Sequence, residues 1–186
     1  MAHNKPDDAV ITAGLLVIGD EILSGRTKDK NIGYIAEYLS AIGIDLMEVR
    51  VVGDVEPAIV EALNALRRRY TYVFTTGGIG PTHDDITADC VAKAFGVGID
   101  HDPEAVALLR ARFGDKDLNE ARLRMARLPT GAELIHNRIS IAPGFRMDNV
   151  FVMAGVPTIM QAMLDEVAPL LEARQTAFGR VTGALP

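Results

Sequence analysis

The chain has one cysteine, Cys90, in 186 residues. A lone thiol builds no disulfide framework and supplies no zinc-ligand set, so a reducing, cytoplasmic setting is expected. Between Asp89 and Val91 on a predicted helix, Cys90 reads as an inert packed thiol. Positive charge is also short. Nineteen Lys and Arg face 25 Asp and Glu, for a net charge of −6 and a pI near 5.2. Such a field does not attract duplex nucleic acid, and the one basic run, Arg67-Arg68-Arg69, reads as a solvated helix end. No apolar run approaches the roughly 18 residues a membrane span needs, and residues 1–9 are polar and acidic. Neither secretion nor insertion is expected, and the partners anticipated are neither nucleic acid nor membrane. No internal repeat and no low-complexity tract interrupts the chain.

What is present is the composition of a globular protein, 48% apolar and 24% charged. One domain is expected over 11–175, between a flexible N-terminal tail, 1–10, and a C-terminal tail, 176–186. Ala13 to Ile18 is a continuous apolar run that predicts a buried strand followed by a loop at Gly19-Asp20. Ile32, Ile35, Ala36 and Leu39 predict a helix ending near Gly43, and Leu46 to Val52 a strand. Pro57 opens a second helix with Ile59, Leu63 and Leu66 on one face, before the strand Tyr72-Val73-Phe74. Further helices are predicted over about 85–95, 103–113 and 119–127, the last two as a candidate lid. Strands follow at 133–135 and 149–153, then a helix from Pro157 to about Ala173. Strands alternating with helices of this length predict an α/β fold, a three-layer α/β/α sandwich around a mostly parallel sheet. Ligands of such sheets bind beyond the carboxyl ends of the strands.

The most informative segment runs Thr75-Thr76-Gly77-Gly78-Ile79-Gly80-Pro81-Thr82-His83-Asp84-Asp85-Ile86-Thr87. An apolar strand enters three glycines within four residues, and a predicted helix follows. Glycines let backbone N–H groups approach an anion, and a helix start adds further donors, so Thr76, Gly77, Gly78, Gly80 and Thr82 are candidate phosphate-binding residues. Asp84 and Asp85 would repel that anion unless a divalent cation lay between, with oxygen ligands suiting Mg2+. Their alternative role is to stabilise the helix dipole.

Two more acidic loops converge on the same sheet edge. Asp20 and Glu21 are candidates for a metal ligand and a general base, or for acids that solvate a turn. Asp54 is a candidate binding residue or the N-cap of the helix near Pro57. Asn31 reads as a helix cap, and Arg26 in the preceding loop is a candidate ligand-binding residue, presented with Ser24. Arg122, Arg124 and Arg127 cannot all share one face, and Arg124 is the candidate phosphate ligand. His83 is a possible donor to phosphate, whereas His101 and His136 lack ligand spacing. Met153, Met160 and Met163 read as core.

Taken in order, Gly19-Asp20-Glu21-Ile22-Leu23-Ser24-Gly25, Val52-Gly53-Asp54, the glycine string to Asp85, Ala142-Pro143-Gly144-Phe145 and Gly155-Val156-Pro157 resemble the molybdopterin-binding domain family. The branch is that of the N-terminal domain of competence/damage-inducible protein A (CinA), which is similar to a domain of eukaryotic FAD synthases. The resemblance covers about 12–172. It implies a phosphate and metal site at the glycine loop and a ligand that is a phosphorylated pterin or a nucleotide diphosphate compound. Family adenylyltransferases end this loop in Arg-Asp, and here His83-Asp84-Asp85 stands there, Asp85 matching the acid. Asp54 matches an acidic position implicated in binding. The missing arginine turns the expectation away from pterin adenylylation and towards Mg2+-dependent hydrolysis of an ADP-ribose-like pyrophosphate, with Asp20, Glu21 and Asp85 as catalytic candidates and Asp84 and Asp85 on the metal. A molybdopterin-binding or adenylyltransferase role in molybdenum cofactor biosynthesis and a non-catalytic nucleotide-binding module are the alternatives, and a homo-oligomer is expected. Nicotinamide deamidation, the work of a second domain in full-length members, is not expected of a chain that stops at Pro186.

Overall fold

The computed structural model describes residues 10–171. Apart from Val10, the two expected tails lie outside them, as do the last residues of the helix predicted to reach Ala173.

Strand β1 (Thr12–Ile18) is buried over nearly its whole length, as its unbroken apolar run requires. After the one-turn helix α1 (Asp20–Leu23) come α2 (Asn31–Ala41), β2 (Asp45–Val52), α3 (Glu56–Arg69), β3 (Tyr72–Thr76) and α4 (Thr87–Phe95). In α3, Pro57 occupies the first turn and three arginines the last. Ile59, Leu63 and Leu66, one helical face, are fully buried and contribute about 2 kcal/mol each by leaving water. Gly96, with φ 67°, closes α4 in the left-handed conformation that suits glycine.

The main sheet runs β2-β1-β3-β8-β7-β6, where β6 is Glu133–Ile135, β7 Gly144–Met147 and β8 Val150–Met153. The pairings of β2, β1, β3 and β8 are parallel, and β7 and β6 add antiparallel neighbours at one end. One apolar cluster lies between this sheet and the layer of α3, α4 and α5 (Pro103–Asp117). The other lies between the sheet and α2 with α7 (Pro157–Val167). The architecture is therefore the three-layer α/β/α sandwich with a mostly parallel sheet.

The differences from expectation are local. Helix α4 begins at Thr87, with Ile86 as its N-cap, so Asp84 and Asp85 precede the helix and Asp89 is the acid of its first turn. Helix α7 stops at Val167 because Pro169 has no N–H to continue the ladder. Asp20 and Glu21 form a helical turn rather than an open loop. A second, two-stranded sheet pairs β4 (Ile99–His101) with β5 (Arg127–Pro129), although Arg127 was expected to end a helix. The segment read as a candidate lid is anchored to the core by one face: Ala105 and Leu109 of α5 are fully buried, and Gly114 (φ 75°, ψ 163°) breaks that helix before α6 (Glu120–Leu123). The arginine run is not simply solvated either. The Arg67 guanidinium donates to the Ala94 carbonyl at 3.0 Å and lies 4.2 Å over the Phe95 ring, tying α3 to the end of α4.

Candidate functional site

The chain leaves β1 towards α2 on one face of the sheet and leaves β3 towards α4 on the other. Between the carboxyl ends of β1 and β3 the connections part, and that switch point is where a crevice forms in an open α/β sheet. Gly19, Asp20 and Glu21 lie on one side of it and the glycine loop on the other.

The loop is pinned before any ligand arrives. Gly77 N–H donates to the Met153 carbonyl at 3.2 Å; the Thr87 hydroxyl donates to Gly77 O at 3.0 Å, and Thr87 N–H to Gly78 O at 3.0 Å. Gly77 (φ 98°) and Gly78 (φ 68°) adopt left-handed conformations. A Cβ at Gly77 would stand 2.1 Å from the Ile18 carbonyl oxygen, and one at Gly78 2.1 Å from Thr87 Oγ1. These glycines thus serve loop packing first. The N–H groups of Gly78, Ile79 and Gly80 have no hydrogen-bond partner among the described residues, which leaves three successive donors to meet an anion.

Asp85 closes the turn: its Oδ2 accepts from Thr82 N–H at 2.8 Å and Thr82 Oγ1 at 2.6 Å, and lies 2.8 Å from where a Gly80 Cβ would stand. Asp84 is 3.1 Å from His83 Nε2, and both side chains are exposed. The two acids therefore have different surroundings and neither sits on the helix. Asp20 and Asp54 are locked reciprocally, Asp20 N–H donating to Asp54 Oδ2 (3.0 Å) and Asp54 N–H to Asp20 Oδ1 (3.3 Å). Val55, not Asp54, is the N-cap of α3. Glu21 folds its carboxylate against Gly19. Partial burial pushes the Asp54 carboxyl above its usual range, and the charges of Asp20, Glu21 and Asp84 push it the same way against the Asp20 N–H bond. Asp20, Glu21, Asp54 and Asp84 thus form one acidic neighbourhood. Among the described residues, no three Asp, Glu, His or Cys side chains are arranged as a ready metal site.

On the α4 side, a shallow, solvent-open hollow is lined by Gly78, Gly80, Asp85, Arg124, Pro143 and Phe145, among others. The three arginines divide. Arg127 makes a forked pair with Asp89 (2.8 and 3.2 Å), and Arg122 donates to Asp117 O and stacks on Phe113. Arg124 lines the hollow with a buried Nε that has no partner among the described residues. Arg26, exposed and donating to Ser24 Oγ, does not line it. Cys90 is buried and its thiol pushed up to about 12 by desolvation. Met153, Met160 and Met163 are fully buried.

Two residues gain roles that sequence reasoning missed. Asn31 is not the cap of α2: Asp29 Oδ1 accepts from the N–H groups of Asn31 (3.0 Å) and Ile32 (2.7 Å), while Asn31 Nδ2 donates to Gly155 O at 2.9 Å. Asn137 Oδ1 accepts from the N–H groups of Ile139, Ser140 and Ile141, and its Nδ2 donates to Ala142 O. That shapes the turn ahead of Pro143. An Asn three residues before a Ser, near a Pro-Gly pair, was the available signal.

Residues 14–173 match the family described as "Probable molybdopterin binding domain". A CinA-like protein of Myxococcus xanthus is 37% identical over 166 residues, covering 86% of this chain and 39% of its own length. A Pyrococcus horikoshii protein is 34% identical over 184 residues, with 89% and 71% covered. The chain thus spans well under half of that CinA-like relative. Among solved structures, the CinA protein of Thermoplasma acidophilum, described as of unknown function, superposes with a TM-score of 0.81 at 32% identity, covering 86% of this chain and 97% of that one. The molybdopterin biosynthesis enzyme MoaB of Thermus thermophilus shares the fold at a TM-score of 0.58 and 19% identity, with 87% and 92% covered. The chain belongs to the molybdopterin-binding domain family, on the branch it shares with CinA-like proteins.

Proposed function

We propose that the crevice between β1 and β3 binds one phosphorylated nucleotide or pterin and, with Mg2+, hydrolyses a nucleotide diphosphate such as ADP-ribose. One observation carries the binding half. The buried side-chain polar atoms without a partner among the described residues are Asn31 Oδ1, Thr75 Oγ1, Thr76 Oγ1 and Arg124 Nε. Thr75 and Thr76 are the last residues of β3, Asn31 bonds the turn packed on Gly77, and Arg124 lines the hollow beside Gly78. Buried polar groups are ordinarily paired, so this concentration around one loop supports a ligand there.

The diphosphate lies against the N–H groups of Gly78, Ile79 and Gly80, with Arg124 as its cation. Of the described arginines that line the hollow, Arg127 is committed to Asp89 and Arg124 is left for ligand, which suits a single diphosphate better than the two polyanions of an adenylyl transfer. The acidic neighbourhood fits a divalent cation, since burial first and the charges of Asp20, Glu21 and Asp84 after it disfavour the Asp54 carboxylate without a counter-charge. Mg2+ needs only one or two protein carboxylates once substrate phosphates and water supply the rest. Asp84 and Asp54 would hold it, with Asp20 buttressing Asp54 through their paired backbone bonds. Bound there, the ion would neutralise charge on the phosphate oxygens. Glu21, exposed at the mouth of the crevice, takes a proton from water as its oxygen attacks phosphorus. The bridging P–O bond breaks and the bridging oxygen leaves with the second phosphate, so ADP-ribose and water give AMP and ribose 5-phosphate. Asp85 shapes the loop through Thr82. Incubation with ADP-ribose and Mg2+ is expected to yield AMP that is lost in Glu21→Gln. Binding without cleavage would leave a non-catalytic module, and adenylylated molybdopterin formed from ATP while ADP-ribose stays intact would replace hydrolysis with transfer.

A further inference from the structure

The unpartnered atoms fall on both faces of the sheet, and only Arg124 belongs to the hollow on the α4 side. Thr76 is in register with Val17 of β1 and Met153 of β8, whose side chains join the α2/α7 core. Parallel neighbours in register point to the same face, so Thr76 directs its hydroxyl to the α2/α7 side. Asn31 arrives at that corner from the start of α2. Its Nδ2 donates to Gly155 O, two residues beyond Met153, and a Cβ at Gly155 would stand 3.3 Å from Gly77 Cα. The donor bond fixes the amide, so the atom left over is the acceptor Oδ1. Asn31 is 4% exposed and Thr76 1%. Capping does not explain Asn31, because Asp29 performs it.

Resting on the binding reading above, we infer that Asn31 and Thr76 form a second subsite that takes the non-phosphate part of the ligand, Asn31 Oδ1 accepting from an N–H or O–H of its ring or sugar. The crevice is then read from two faces, Gly78, Gly80 and Arg124 taking phosphate on one and Asn31 with Thr76 taking a hydrogen-bond donor on the other. Both oxygens are closed to water in the free chain, so the subsite opens by a small shift as the ligand enters. An acceptor that is unpaired in the free protein rewards a ligand that brings a donor and penalises one that does not.

The test is calorimetric titration of inorganic pyrophosphate, ADP and ADP-ribose, the last as an α,β-methylene analogue that cannot be hydrolysed, each with Mg2+, into the unsubstituted chain, Thr76→Val and Asn31→Ala. Thr76→Val keeps shape and removes only the hydroxyl, so it stays interpretable if Asn31→Ala, which also loses the Gly155 bond, folds poorly. The expected result is a loss of affinity about fivefold greater for ADP and ADP-ribose than for pyrophosphate, as one neutral hydrogen bond predicts. 2′,3′-Dideoxy-ADP separates the sources: a difference that vanishes with it assigns the donor to sugar hydroxyls, and one that persists assigns it to the ring. Equal losses for all ligands, or unchanged affinities in folded variants, overturn the subsite while leaving the phosphate reading intact. Failure of the unsubstituted chain to bind pyrophosphate overturns the phosphate reading, and the subsite with it.

Discussion

Gly78→Ala tests whether the glycine loop is packed as described. The new Cβ would stand 2.1 Å from Thr87 Oγ1, and the residue would keep φ 68°. A left-handed alanine costs about 1 kcal/mol. Relieving the overlap turns the Thr87 hydroxyl away from Gly77 O, and leaving that buried carbonyl unpaired costs about 2 kcal/mol more. The expected total of about 3 kcal/mol corresponds to a melting temperature lower by about 6–12 °C for a domain of this size. Urea unfolding should show the midpoint fall with an unchanged slope. Thr87→Ala removes the overlapping oxygen and the same bond to Gly77 O, so the double variant should cost less than the sum of the singles by about 2 kcal/mol. Single-variant costs that add, or a Gly78→Ala protein as stable as its parent, refute the packing argument.

Arg124→Leu should weaken pyrophosphate binding at least tenfold without loss of stability, because its Nε has no partner among the described residues; titration calorimetry and thermal melts together check both halves. Arg127→Leu should do the opposite, costing about 1–2 kcal/mol by breaking the half-buried pair with Asp89. Asp54 carries the inverted sign for a carboxylate. With its folded pKa raised, the native state holds the proton more tightly than the unfolded chain, so stability falls as pH rises through the acidic range. Asp54→Asn should therefore melt higher than the parent at pH 7, with the gap closing towards pH 4 and shrinking when Mg2+ is added; a gap independent of pH would contradict this. Cys90 should resist an aromatic disulfide reagent until the chain unfolds, and fast labelling of the native protein would contradict its burial.

The layers and the site edge were legible wherever a periodic apolar signal coincided with one local cause. The unbroken run into Ile18 gave β1, and Ile59, Leu63 and Leu66 gave the buried face of α3. The start of α4 was misread because Asp84 and Asp85 look like first-turn acids, whereas Asp85 spends its carboxylate on Thr82 and the helix waits for Thr87. Strands β4 and β5 were missed because they pair only with each other, across the intervening α5 and α6, a contact that no local pattern announces. The binding candidates were read from residue types that suit phosphate and metal. Asn31 stayed hidden because its meaning lies in a bond to Gly155, which no local pattern announces. The division of the three arginines depended on Asp89, Asp117 and Phe113, partners fixed only by the tertiary fold.

The tethering of the glycine loop by Met153, Thr87 and Asp85 has a thermodynamic consequence. Holding Gly77 and Gly78 in rare conformations is a cost met once, when the chain folds, rather than at each binding event. An anion arriving at Gly78, Ile79 and Gly80 finds donors already aligned, so little ordering entropy opposes it there. Adjustment is confined to the Asn31 face. Chemistry can therefore diverge through residues around the loop, such as those at 83, 84 and 124, while the loop itself resists substitution for reasons of packing alone.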